Sequence, residues 1–323
     1  MLEISCAFAT GLDTPDHVVL AEELGYRRAW LYDSPALYAD VWMTLALAAQ
    51  RTGRIHLGPG VVVPHLRHPM TTAAAIAHLE TLAPGRVEVA VGSGFTGRLT
   101  MGQRPLRWSF VRDYVACVQE LLAGGEPEWD GAPIAMLHVD GFAPRRPIDV
   151  PFLLGADGPK GRAVAAELGD GIFTTQPIGG FDRCAVLTFG TVLEEGESPG
   201  SDRALAAAGH GAAVVYHALL ERHLDLAMVP GGPVWAEAVR QVPERRRHLE
   251  VHRGHLVELN EHDRPVVGGD VVAALTFTGE RLALRARLDQ LAEAGATEIA
   301  FQPAGPDIPR ELEAFAEMAA DLV

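Results

Sequence analysis

Lys160 is the one lysine among 27 basic residues, and it sits in the run Gly155-Ala156-Asp157-Gly158-Pro159-Lys160-Gly161. The apolar stretch Phe152 to Leu154 precedes this run and a helix-like stretch follows it. A glycine-rich turn from strand into helix exposes backbone N–H groups at the positive end of the helix dipole, where an anion binds. A lysine there adds a point charge suited to phosphate. A second turn, Gly92-Ser93-Gly94, follows another strand-like stretch and leads into Phe95. On neighbouring strands the two turns could hold a ligand with an anionic tail, with Arg98, Arg104 and Arg107 placed to pair with phosphate or carboxylate. The plainer reading is turn glycines beside solvated arginines.

Asp33 is a lone carboxylate after the second strand-like stretch, flanked by Trp30 and Trp42 and followed by Ser34. It could hydrogen-bond a ligand, act as a base or cap a helix. His65 and His68 flank Arg67 after the third such stretch and read as hydrogen-bonding or cavity-lining groups. Asp33, Ser34 and His65 are thus the candidates for work at a reacting centre. His248, His252 and His255 are spaced i, i+4, i+7 and would share a helix face. That spacing suits a metal, but Gly254 weakens the helix and no His-Glu-x-x-His pattern occurs. No metal site is expected, and a cavity-lining or structural role is. None of the three cysteines has an evident catalytic partner.

The elements that must position these residues alternate. Glu3–Phe8, Arg28–Tyr32, Ile55–Val63, Val87–Val91, Phe152–Gly155, Gly171–Thr175, Ala185–Gly190 and Glu298–Gln302 read as strands. Thr14–Leu24 reads as a helix, with Thr14 as its N-cap and Pro15 next. Val41–Gln50, Pro69–Leu82, Trp108–Leu122, Lys160–Leu168, Glu280–Glu293 and Pro309–Leu322 also read as helices. About eight βα units predict a (β/α)₈ TIM barrel of the α/β class, a single domain over residues 1–323. The first βα turn lacks Gly-x-Gly-x-x-Gly, which argues against a dinucleotide-binding open sheet. Gly124–Pro151 reads as an irregular excursion. Thr191–Phe277 reads as a helical insertion between late barrel strands, with helices over Ser201–Ala227 and Pro233–Glu258.

The composition is globular, 48% hydrophobic and 21% charged. A net charge of −15 with scattered arginines excludes a nucleic-acid partner. Three unpatterned cysteines point to no disulfide framework. No apolar run reaches membrane-spanning length, and the first residues read as a strand, so a cytoplasmic location without membrane contact is expected.

The pattern resembles the luciferase-like flavin and deazaflavin oxidoreductases, in the branch that includes methylenetetrahydromethanopterin reductase and other enzymes using coenzyme F420. The resemblance rests on Ala21-Glu22-Glu23-Leu24-Gly25-Tyr26, Trp30-Leu31-Tyr32-Asp33 and Leu57-Gly58-Pro59-Gly60-Val61. It continues through Arg67-His68-Pro69, Gly85-Arg86-Val87, Gly92-Ser93-Gly94, Thr100-Met101-Gly102-Gln103-Arg104-Pro105, the lysine loop, Glu167-Leu168-Gly169-Asp170-Gly171 and the stretch from Leu291 to Ile299. It spans the chain apart from Thr191–Phe277. The resemblance implies coenzyme F420, with FMN as the alternative, bound at the C-terminal rim of the barrel. It implies a non-prolyl cis peptide at Gly60–Val61 pressing on the back of the ring. Asp33, Gly60, Val61, Val63, Gly92, Ser93, Gly94 and Phe95 would then face the cofactor, and Gly155, Ala156, Asp157, Gly158, Pro159 and Lys160 would hold its phosphate, mainly through backbone N–H groups. Pairing through barrel helices two and three, as a homodimer, is also implied.

There are departures from the family pattern. Phe95 stands where sugar-phosphate dehydrogenases of this family carry an acid, and Ser34 where they carry a histidine. An acid/base pair for alcohol oxidation is therefore missing, which favours hydride donation to an acceptor. Phe95, Trp42, Val61 and Val63 would suit an apolar small-molecule substrate. The alternatives are an FMN-dependent monooxygenase and a barrel that only binds a ligand.

Overall fold

The computed structural model describes residues 2–320. Eight parallel strands close into a barrel: β1 (Glu3–Phe8), β2 (Arg28–Leu31), β3 (His56–Val62), β4 (Val89–Gly92), β5 (Phe152–Gly155), β6 (Gly171–Thr174), β7 (Cys184–Phe189) and β8 (Glu298–Gln302). Each strand pairs with its successor in sequence, and β8 closes on β1 with Glu3 opposite Glu298. The expected (β/α)₈ architecture is therefore the one formed.

The strands are apolar throughout because both faces are covered. Outward residues such as Leu31, Leu57, Val89 and Ile299 pack under α1 (Thr14–Glu23), α2 (Val41–Arg51), α3 (Pro69–Leu82), α5 (Trp108–Ala123), α6 (Pro159–Leu168), α11 (Arg281–Glu293) and α12 (Ile308–Ala319). Inside the barrel, small residues Ala7, Ala90, Ala185 and Ala300 leave room for Trp30 and Phe173, whose rings meet edge to face at 5.4 Å.

The N-terminal end of the barrel is closed by charge. Arg28 bonds Glu88 Oε1 at 2.8 Å and Glu298 Oε2 at 3.1 Å and also meets Glu3. Arg183 bonds the other Glu88 oxygen at 2.5 Å, and Trp30 Nε1 donates to Glu298 at 2.8 Å. Burial alone would raise the Glu88 carboxyl. His56, Arg28 and Arg183 outweigh it and hold the group at about 2.

Several boundaries differ from the sequence reading. The first helix is preceded by Asp13 as N-cap, while Thr14 Oγ1 turns back to accept from the Gly11 N–H at 2.7 Å. Val87 makes only an isolated bridge with Leu57, so β4 starts at Val89. The short helix α4 (Phe95–Leu99) follows β4 directly; five residues are too few to show a period. Residues 321–322 of the expected last helix lie outside the described residues.

Between β7 and β8 the chain forms α7 (Asp202–Glu221), α8 (Gly232–Arg240), α9 (Glu244–Val251) and α10 (Gly269–Leu275), with their own hydrophobic cluster around Tyr216, Trp235 and Val272. The single helix expected over Pro233–Glu258 is broken twice. Pro243 is the extended N-cap of α9, and Gly254 takes a φ of +67° in the turns that follow. Among the described residues, no helix is long and apolar enough to cross a membrane.

Candidate active site at the C-terminal rim

The C-terminal ends of the barrel strands open into a cavity of about 970 Å³. One wall is built from β3, β4 and β5. The Gly60–Val61 peptide is cis, as the family resemblance implied, and the β3–β4 register shifts between Gly60 and Val62. Val61 is pushed inward by this bulge. Its Cγ2 lies 2.8 Å from where a Cβ on Gly92 would stand, and its Cγ1 lies 2.7 Å from the corresponding point on Gly155. These glycines end β4 and β5 in extended backbone, so they are needed for close approach rather than for a turn. Gly94 does need its freedom: it caps α4 at a φ of +77°, and a Cβ there would stand 2.4 Å from Val63 Cγ1.

Ser93, Phe95, Ala156, Asp157 and Gly158 continue the lining. Asp157 is engaged: its Oδ1 accepts from Thr174 Oγ1 at 2.7 Å and from the Thr175 N–H at 3.1 Å. Gly158 precedes α6 with no side-chain cap, so the first turn keeps N–H groups for an incoming acceptor. Pro159 and Lys160 are exposed on that turn just beyond the cavity lining, and the Lys160 backbone N–H is among those the first turn offers.

Asp33 lines the cavity but is 3% exposed, and its carboxylate takes two hydrogen bonds from Arg67 at 2.9 and 2.7 Å. The Val63 N–H also points at it, at 3.4 Å. Burial raises the Asp33 carboxyl and Arg67 offsets that only in part. Its geometry is that of a brace tying the Val61 bulge to Arg67. Ser34 lines the cavity beside it.

His65 lies on the single turn Pro64–Leu66 and does not reach the lining. Burial and the Arg98 charge lower its pKa. His68 caps α3, its Nδ1 accepting from the Met70 N–H at 3.1 Å. Trp42 packs against the helix–sheet core and does not face the cavity. Arg98, Arg104 and Arg107 are also outside the lining, and Arg98 Nε is spent on the Arg104 carbonyl at 2.6 Å.

The roof comes from α7 and the turns after α9. Val214, Val215, Ala218 and Leu219 face the cavity, and Arg222 lies over the Phe95 ring at 5.5 Å. Leu256, at a φ of +61°, packs onto the barrel interior beside Trp30 and Phe173. Its segment is tied to the rim by Tyr38, whose hydroxyl donates to the His255 carbonyl at 2.5 Å, and by Gln302 on β8, which bonds the Leu256 carbonyl.

His255 is buried and lines the cavity, but not through a shared helix face with His248 and His252. α9 ends at Val251, and His248 instead packs beside Gly102. The residue that joins His252 and His255 is His217 of α7. Burial pushes His252 and His255 toward their neutral forms. Spacing along the chain could not disclose His217, which is 38 residues from His255. Trp108, at the start of α5, is a further lining residue that no motif marked.

Among curated proteins, the 5,10-methylenetetrahydromethanopterin reductase of Archaeoglobus fulgidus is 32% identical over 161 residues, 48% of this chain and 47% of that protein. The F420-dependent glucose-6-phosphate dehydrogenase of Beutenbergia cavernae is 33% identical over 211 residues, 59% of each. The chain thus spans about half the length of these relatives. Among solved structures, the coenzyme F420 dependent tetrahydromethanopterin reductase from Methanopyrus kandleri superposes with a TM-score of 0.70 over 99% of both chains at 19% identity, a likeness of fold. The sequence pattern described as luciferase-like monooxygenase matches residues 11–298, most of the chain, and the chain belongs to that family.

Proposed function

We propose that this protein is an oxidoreductase that passes a hydride between coenzyme F420 and an apolar organic acceptor in the rim cavity. The observation that carries the reading is the Val61 bulge set against Gly92 and Gly155 on one wall of a 970 Å³ cavity. A wall without side chains, backed by one branched residue, suits a flat ring. Relatives that depend on F420 support the choice of cofactor.

The residues present fit such a group. Gly92, Ser93, Gly94 and Phe95 would border the ring, and Gly155 to Gly158 with the uncapped start of α6 would take its phosphate. When bound, the cofactor supplies the hydride-exchanging carbon. The chain supplies position, dryness and selectivity. Val214, Val215, Leu219 and Phe95 present an apolar face to the acceptor. Asp33 is paired with Arg67 and Asp157 with Thr174 and Thr175, so neither carboxylate lining the cavity stands free as a base.

Fluorescence titration of the purified protein with F420 and with FMN tests the reading. Micromolar binding of F420, followed by loss of the reduced cofactor's signal with an acceptor, is the expected outcome. Binding of FMN alone, with oxygen uptake, would replace it by a monooxygenase. If neither cofactor binds at micromolar levels, the reading fails.

A further inference from the structure

Three histidines meet under the roof of the cavity. His217 from α7 and His252 and His255 from the turns after α9 are each no more than 3% exposed. His217 Nδ1 lies 3.0 Å from His255 Nδ1, and His252 Nδ1 lies 3.4 Å from the same atom. One ligand atom from each of the three lies within 4.8 Å of the other two.

The other nitrogen of each ring faces an oxygen. His217 Nε2 is 3.2 Å from Asp263 Oδ1, which also accepts from Trp235 Nε1 at 2.8 Å. His255 Nε2 is 3.3 Å from Thr96 Oγ1. His252 Nε2 is 3.7 Å from Glu221 Oε1. With the ring protons on Nε2, toward these oxygens, the Nδ1 lone pairs of His217 and His252 both face His255 Nδ1. Lone pairs that close repel unless a cation lies between them.

From this geometry we infer a divalent transition-metal site, best suited to Zn²⁺, formed by Nδ1 of His217, His252 and His255. Bond lengths of about 2.0–2.1 Å in a tetrahedron put ligand nitrogens roughly 3.3–3.4 Å apart, against 3.4 Å for His252–His255 and 3.0 Å for His217–His255 here. Metal-bound imidazoles commonly donate their second N–H to a carboxylate or another oxygen, which fixes the ring and raises its basicity. Asp263 and Glu221 would also balance the charge of a divalent ion. Three protein ligands leave a fourth position for a water. The site would join α7 to the segment that carries Leu256, holding the roof at its distance from the barrel. It is independent of the cofactor reading, since none of the three imidazoles belongs to the Val61 wall.

Tag-free protein stripped with a chelator and titrated with Co²⁺ should show the visible bands of a tetrahedral ion, saturating at one ion per chain. Protein grown with zinc should keep one zinc through dialysis, and X-ray absorption at the zinc edge should count three imidazoles. His252→Gln should abolish the cobalt bands, and His248→Ala should leave them unchanged. Asp263→Asn should weaken binding about 10–100-fold. Absence of both bands and retained zinc would overturn the site and leave three imidazoles packed together by hydrogen bonds. So would bands that persist in folded His252→Gln. If that variant does not fold, the imidazole count on the unaltered protein decides: fewer than three overturns the assignment.

Discussion

At the scale of single residues, Gly92 and Gly155 line the cavity for a different physical reason from the one their sequence suggests. The sequence presents both as turn glycines that bare their N–H groups. In the structure both end strands, and what matters is the missing Cβ that lets Val61 into the cavity wall. Gly92→Ala would bring a methyl group to 2.8 Å from Val61 Cγ2, and Gly155→Ala to 2.7 Å from Cγ1. Overpacking of this kind costs about 1–3 kcal/mol. Either substitution should lower F420 affinity about tenfold or more, and adding Val61→Ala should recover stability, read as a coupling in a double-mutant cycle followed by urea unfolding. Additive effects would mean the contact does not shape the wall. Asp33 was legible as a rim carboxylate, but its partner Arg67, 34 positions away, was not.

At the scale of elements, helix α6 separates two ideas that coincide in the sequence. A glycine-rich loop and a lysine both suggest phosphate, but the fold turns Lys160 to solvent while the uncapped first turn borders the cavity. An exposed, screened charge contributes about 0–1 kcal/mol. Lys160→Ala should therefore change cofactor affinity by less than about fivefold, against the larger share that the sequence alone suggested. Gly161→Ala should do more, because its Cβ would stand 2.5 Å from both Ala156 Cβ and Trp108 Cζ2 and would shift the helix start. The same titration checks both, and a larger loss in Lys160→Ala would return the lysine to the site. Helix α4 and the division of α8 from α9 escaped the sequence reading for local reasons. The first is shorter than two helical turns, and the second turns on one proline.

At the scale of the whole molecule, the barrel is filled by small and aromatic side chains, charged at its N-terminal end and open at the other. The charged end should set the acid limit. Glu88 sits at about 2, against about 4.3 in an unfolded chain. A depressed carboxylate gives stability that is full above the unfolded value and is lost as pH falls through the folded one. Glu88 should thus contribute about 3 kcal/mol at neutral pH, lost progressively from about pH 4.5 to 2. Buried Glu298 is pushed up instead and partly offsets this slope. Urea unfolding from pH 7 down to 3 should show the decline, and Glu88→Gln should be less stable at pH 7 but flatter with pH. An unchanged slope would place the acid limit elsewhere. The sequence by itself determined the βα alternation, the closed barrel and the family, because period, punctuation and spacing are local and repeat along the chain. Only the tertiary structure decided which side chains meet across that distance: Asp33 with Arg67, Val61 with Gly92 and Gly155, and His217 with His252 and His255. Such pairings depend on how strands and helices far apart in sequence pack together, and no periodicity in one segment encodes the residue that another will bring beside it.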